Sequence, residues 1–223
     1  MSHDAVARRV AAVVGGVVRQ AVVDARAAGV VLLDDGSAEA RLAGAWCRAA
    51  LGPERFWAVP APPASAAEAL AAAAPGVFPA AALAAAPAEV HRLAGRLVAL
   101  GQGALLAHPA NKTELLLSSR MPPEPLLPLG DLYASEVERL AGSWSASPEV
   151  AELAARAGGI AALDRALAAL LEERRPPEAA LASLPAGAGR AVLSALEAGR
   201  FAHRRVGLVP KLSRRTLGVD YFA

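Results

Sequence analysis

The chain has 223 residues, enough to bury a full core without disulfides or metals, so a mini-protein scaffold is excluded. Hydrophobic residues make up 55% of it, but alanine is the commonest and aromatics reach only 4%, a composition that suits closely packed helices. With 23 basic side chains against 21 acidic ones the net charge is only +2, so the charge balance carries no nucleic-acid footprint.

No run of about 18 strongly apolar residues occurs, so no membrane span is expected. The start, Met1, Ser2, His3 and Asp4, lacks the basic and apolar regions of a signal peptide, and the expectation is a cytoplasmic protein. Nearly all positive charge is arginine; Lys112 and Lys211 are the only lysines. The single cysteine, Cys47, lies in an apolar helical pattern and reads as a packing residue, with no partner for a disulfide or a cysteine-based metal site.

Residues 4–28 carry valines at helical spacing (Val6, Val10, Val13, Val14, Val17, Val18, Val22) and predict an amphipathic helix that ends before Gly29. The wholly apolar residues 29–33, closed by Asp34, Asp35, Gly36 and Ser37, predict a strand buried on both faces. A helix over 38–51 and a strand over 56–59 follow. The proline-rich residues 60–63 lead into an alanine-rich helix from Ser65, and a weak strand is read at 76–78. A helix over 87–100 and a strand over 103–107 complete an alternation that predicts parallel βαβ units with helices on both faces of a doubly wound α/β sheet. From Asp131 the pattern is helical throughout, over 131–141, 148–157, 160–173, 177–184 and 187–203. The expected organisation is one domain with an N-terminal helix (1–28), an α/β core (29–130) and a helical part with a basic tail (131–223).

In such a sheet ligands lie beyond the carboxyl ends of the strands. The first such end, residues 34–39, offers acid where a phosphate loop would offer glycine amides: Asp34, Asp35 and Glu39 repel phosphate unless a cation intervenes. Ser37 or Asp35 also suits a helix cap there. The second end, residues 108–114, gathers Asn111, Lys112, Thr113 and Glu114. Either these side chains meet a ligand, or Asn111 or Thr113 caps a helix starting at Glu114 while Lys112 is solvated. Asp131 is ambiguous in the same way, as a site residue or as an N-cap. The tail cluster His203, Arg204, Arg205, Lys211, Arg214 and Arg215 reads as a phosphate-attracting patch or as a solvated tail. No HExxH, CxxC pair, P-loop or GxSxG is present.

Three ordered segments resemble the NAD synthetase family of PP-loop ATP pyrophosphatases. Asn111, Lys112, Thr113 and Glu114 with the following leucines look like its GTGN(K/R)(S/T)E segment. Residues 127–133, Leu-Pro-Leu-Gly-Asp-Leu-Tyr, look like LPLGDLYK, and residues 210–220 are similar to the closing PK-x-x-x-RT-x-GVD. The resemblance implies an adenine nucleotide alpha hydrolase-like fold, a homodimer, and ATP-dependent amidation of nicotinic acid adenine dinucleotide through an adenylated intermediate that ammonia resolves. It further implies Gly36, Ser37, Arg92, Asn111, Lys112, Thr113 and Lys211 at the nucleotide or its phosphates, Glu114 and Asp35 at Mg²⁺, and Asp131 and Arg214 at the substrate.

The chain also departs from the family pattern. Its SGG-x-DS nest falls on residues 35–40, where only Gly36 matches; Asp35, Ser37, Glu39 and Ala40 replace serine, glycine, aspartate and serine. Pro109 removes an amide ahead of Asn111, the lysine of LYK is Ala134, and the segment before Leu126 is short. No counterpart of the substrate-closing loop follows Pro148. Each lost phosphate contact costs on the order of 2 to 4 kcal/mol in the transition state, by analogy with an oxyanion donor. Two readings are carried forward: an NAD synthetase using ATP and Mg²⁺, weak or inactive in its present form, and a degenerate paralogue acting as a nucleotide-binding, regulatory or structural partner.

Overall fold

The computed structural model describes residues 3–61, 80–118, 125–199 and 207–212. Helix α1 (His3–Asp24) leads into strand β1 (Val30–Asp34), followed by α2 (Ala38–Leu51), a 3₁₀ turn (Pro53–Arg55) and β2 (Phe56–Pro60). Helix α3 (Ala80–Gln102), β3 (Leu105–Ala107) and α4 (Lys112–Leu117) come next. The remaining described helices are α5 (Ala134–Ala141), α6 (Pro148–Arg156), α7 (Ile160–Leu171), α8 (Pro177–Ala180) and α9 (Ala188–Gly199).

The three strands pair in parallel in the order β2-β1-β3, with Val30 opposite Phe56 on one side and opposite Leu105 on the other. The sheet therefore winds both ways from β1, as the alternation predicts. Single parallel bridges extend it beyond β3, from Ala107 to Leu126 and from Leu126 to Leu208.

Strand β1 is apolar at every core position because both faces are covered. Val30 and Leu32 pack with Val14 and Val18 of α1 and Ala43 and Cys47 of α2. Val31 and Leu33 pack with Ala99 of α3 and Leu106. Gly95 lets α3 approach: a Cβ there would stand 2.3 Å from Leu33 Cδ2. A second apolar cluster joins Leu115 to Leu117 of α4 with Val150, Leu163, Leu167 and Val192, fusing the C-terminal helices to the core. Cys47 is wholly buried, and burial pushes its thiol up to about 12, as befits a packing residue.

Several boundaries differ from the sequence-based ones. α1 stops at Asp24, where Ala27 donates its amide back to Val22 O and Arg26 takes φ 53°. α5 begins at Ala134 instead of 131, because Leu132 N closes a turn onto Leu129 O and Asp131 spends its carboxylate elsewhere. α8 covers only Pro177–Ala180. The helix from Ser65 and the strand at 76–78 fall outside the described residues. Among the described residues, no helix is long and apolar enough to cross a membrane.

Candidate functional site

The loop after β1 closes on itself. Gly36 N donates to Asp34 Oδ1 at 3.0 Å, and Ser37 N to Asp35 Oδ1 at 2.9 Å. Gly36 takes φ 77°, the left-handed region that glycine enters without penalty. Ser37 caps α2 by accepting Ala40 N at 3.0 Å, and Arg41 Nη1 donates to Gly36 O at 2.6 Å. Amides at such a helix start ordinarily serve anions from solution. Here the chain's own carboxylates take those of Gly36 and Ser37.

One layer further in, Glu39 is 4% exposed. Its two oxygens each accept Ser145 N at 3.1 Å, and Asn111 Nδ2 donates to Oε1 at 3.4 Å. Asn111 also caps α4 by accepting Glu114 N at 3.0 Å; the helix starts at Lys112, two residues earlier than expected. Glu114 in turn accepts Ser147 N at 2.8 Å, and Ser147 caps α6 through Val150 N. Burial raises the pKa of both Glu39 and Glu114; the loop amides oppose it, and the charge of Asp35 adds to it at Glu39.

The solvated reading of Lys112 is overturned. Its side chain is completely enclosed, with Nζ 3.2 Å from Asp131 Oδ1, 2.9 Å from Glu172 Oε1, and 4.9 Å from the centre of the Tyr133 ring. Asp131 Oδ2 accepts Leu212 N at 2.6 Å, so one carboxylate ties α4 to the closing segment. The N-cap reading of Asp131 falls for the same reason: Tyr133 occupies that position, and its N–H donates to Glu136 Oε2 at 2.9 Å. Thr113 Oγ1 bridges Ala134 N at 2.9 Å and Asp164 Oδ1 at 2.6 Å, while Asp164 Oδ2 accepts Ser135 N at 2.7 Å.

Gly36, Ser37, Asp35, Asn111 and Glu114 are thus gathered at the carboxyl end of the sheet. Lys112, Thr113 and Asp131 lie in the buried layer beneath, and Lys211 is exposed at the edge of a separate cleft. Arg92 pairs with Glu89 on α3. Arg214 and the rest of the basic tail lie outside the described residues. Among the described residues, no group of three or more His, Cys, Asp or Glu side chains is placed to hold a metal ion, so Asp35 and Glu114 do not converge with a third such ligand.

Two histidines also stand here. His91 Nε2 is 2.7 Å from Val59 O, and His108 Nδ1 accepts Ala110 N at 3.1 Å. Burial lowers the His108 pKa to about 4 against the pull of Asp35, so its ring is neutral at pH 7. Asp164, Glu172 and Ser145 carry no motif. The only sequence signal is at Asp164, a lone carboxylate in the otherwise apolar face of α7, where Leu163 and Leu167 are buried beside it.

No protein-family model matches the chain, and no curated protein matches it in sequence. Solved structures do. The NH3-dependent NAD synthetase of Campylobacter jejuni superposes with a TM-score of 0.63 at 16% identity, over 96% of this chain and 100% of that one. The NMN synthetase of Francisella tularensis gives 0.57 at 14% identity, over 95% and 100%. The glutamine-dependent NAD+ synthetase of Acinetobacter baumannii, solved with ADP, gives 0.50 at 19% identity, over 95% of this chain and 48% of that one. The chain has the fold of the NAD synthetases.

Proposed function

We propose that this protein keeps the NAD synthetase scaffold but no longer carries out ATP-dependent amidation, and that it acts as a nucleotide-binding or regulatory partner. The observation that carries this reading is the occupied loop after β1. Gly36 N and Ser37 N are donated to Asp34 and Asp35, and Glu39 takes Ser145 N.

Phosphoryl and adenylyl transfer depend on preorganised donors and on cations that neutralise the phosphates. A triphosphate entering here would displace three carboxylates from amides and face their charge. Asp35 and Glu114, the two residues the resemblance assigns to Mg²⁺, hold Ser37 N and Ser147 N. The residues present therefore do not suit Mg·ATP. The buried Lys112, Thr113 and Asp131 layer serves the scaffold, joining α4, α5, α7 and the closing segment. The same reading keeps the homodimer that the resemblance implies, which light scattering on the purified chain checks.

The test is direct. Purified protein is incubated with ATP, Mg²⁺, nicotinic acid adenine dinucleotide and ammonia, while NAD and pyrophosphate are measured. Neither product is expected above the blank; sustained release of both overturns the reading.

A further inference from the structure

Helix α3 has two apolar faces, and the fold of one chain uses only the first. His91, Gly95 and Ala99 are buried on the side turned to the sheet, where Ala99 packs with Val31 and Leu33 of β1. Leu93, Leu97 and Leu100 lie on the opposite side, at the spacing of a single helical stripe, and are 59%, 61% and 79% exposed. Leu100 is the most exposed large hydrophobic residue among the described residues. A helix that rests on a sheet ordinarily turns polar side chains to water on its outer face. Single exposed leucines are ordinary, whereas a contiguous row of them marks a contact surface. Two charges frame this row. Glu89 and Arg96 are both exposed and stand two turns apart on the same flank of the helix, with Leu93 about midway between them. Glu89 also pairs with Arg92 in the intervening turn.

We propose that this face of α3 is the seat of a second copy of the chain, with two α3 helices lying antiparallel about a two-fold axis that passes close to Leu93. A two-fold axis sets the same surface on both sides and makes each contact twice. An axis lying in the plane of contact reverses the helix but keeps each flank on its own side. Glu89 then meets the partner's Arg96, and Arg96 meets the partner's Glu89, while Leu97 and Leu100 lose their water on either side of the crossing. Burial of the leucines supplies the affinity. The ion pairs lie at the rim, where they fix register and direction more than they add strength. A lipid surface asks for cations beside the apolar stripe; a flank with one acid and one base at about equal distances from Leu93 matches itself. This rests on the dimer named above and deepens it by giving it a surface, and it involves none of the residues on which the turnover assay bears.

Sedimentation velocity on the full chain across a range of concentrations, with Leu97→Glu, Leu100→Glu, Glu89→Arg and Arg96→Glu beside the parent, tests it. The parent is expected to dimerise. Each leucine variant should raise the dissociation constant at least tenfold, roughly the worth of one buried leucine, with an unchanged circular dichroism spectrum because both positions are exposed. Each charge variant alone sets like charges opposite one another and should weaken the dimer. An equimolar mixture of the two should restore it as a heterodimer, since a flank with two arginines then faces one with two glutamates. Dimers of parental strength in both leucine variants, or a mixture no tighter than its two components, overturn this surface while the dimer stands. A parent that is monomeric throughout overturns the surface and the dimer together, and leaves the loss of amidation to its own assay.

Discussion

Lys112 shows how much a single side chain depends on partners far away in sequence. Its ammonium is enclosed between Asp131 and Glu172. Desolvating a charge is offset only while its partners remain, and removing one member of such a group leaves the others buried without compensation. Lys112→Met should therefore destabilise the fold by about 3 to 5 kcal/mol, read as a shift of the urea midpoint. Histidine and the buried glutamates give opposite pH dependences. Glu39 and Glu114 have folded pKa values raised above 4.5, so their contribution is fully present below 4.5 and is lost as pH rises through the folded values. His108 falls from 6.5 to about 4, so its contribution is present above 6.5 and is lost as pH falls towards 4. In melting curves across pH 4 to 8, Glu39→Gln should lessen the loss on the alkaline side, and His108→Gln the loss on the acid side. Unchanged profiles in both variants would refute these assignments.

At the scale of elements, the tightest constraints are glycines at two packing contacts. A Cβ on Gly29 would meet Arg55 O at 2.1 Å and Trp57 Cζ3 at 2.8 Å, a clash with the backbone leading into β2. One on Gly95 would first meet side-chain atoms, Leu33 Cδ2 at 2.3 Å and Leu106 Cδ1 at 3.1 Å. Overpacking costs about 1 to 3 kcal/mol where side chains can shift, and more where backbone must move. Gly29→Ala should thus exceed Gly95→Ala in cost, and Leu33→Ala should partly rescue only the second, as chemical denaturation of the double variants will report. The same scale explains the element boundaries. Periodicity located β1, α2, β2 and α6 closely, because each is decided by its own apolar spacing and turn residues. α5 starts three residues later than its local sequence predicts because Asp131, a good local cap, is drawn off by Lys112 and Leu212 N.

Across the whole molecule, the loop after β1 and the loop carrying Ser145 and Ser147 act together, since Glu39 and Glu114 join the sheet's carboxyl end to α6. Restoring the family's residues there tests whether self-occupation is what excludes phosphate. A variant carrying Asp35→Ser, Ser37→Gly, Glu39→Asp and Ala40→Ser should bind ATP at least tenfold more tightly than the parent by calorimetry, roughly the worth of one recovered charged contact. It should still yield no NAD. An affinity equal to the parent's would place the obstacle elsewhere.

Sequence alone determined the alternating strands and helices, the doubly wound sheet and the resemblance to the NAD synthetases, because repeating apolar spacing and ordered short motifs are local properties. It also exposed the altered residues of the phosphate nest. What only the tertiary structure decided is where the charges go. Hydrogen bonds from Gly36 and Ser37 end on neighbouring aspartates, Glu39 reaches Ser145 across 106 positions, and Lys112 reaches Glu172 across 60. A buried polar group must find a partner, and which partner it finds depends on the packing of the whole chain.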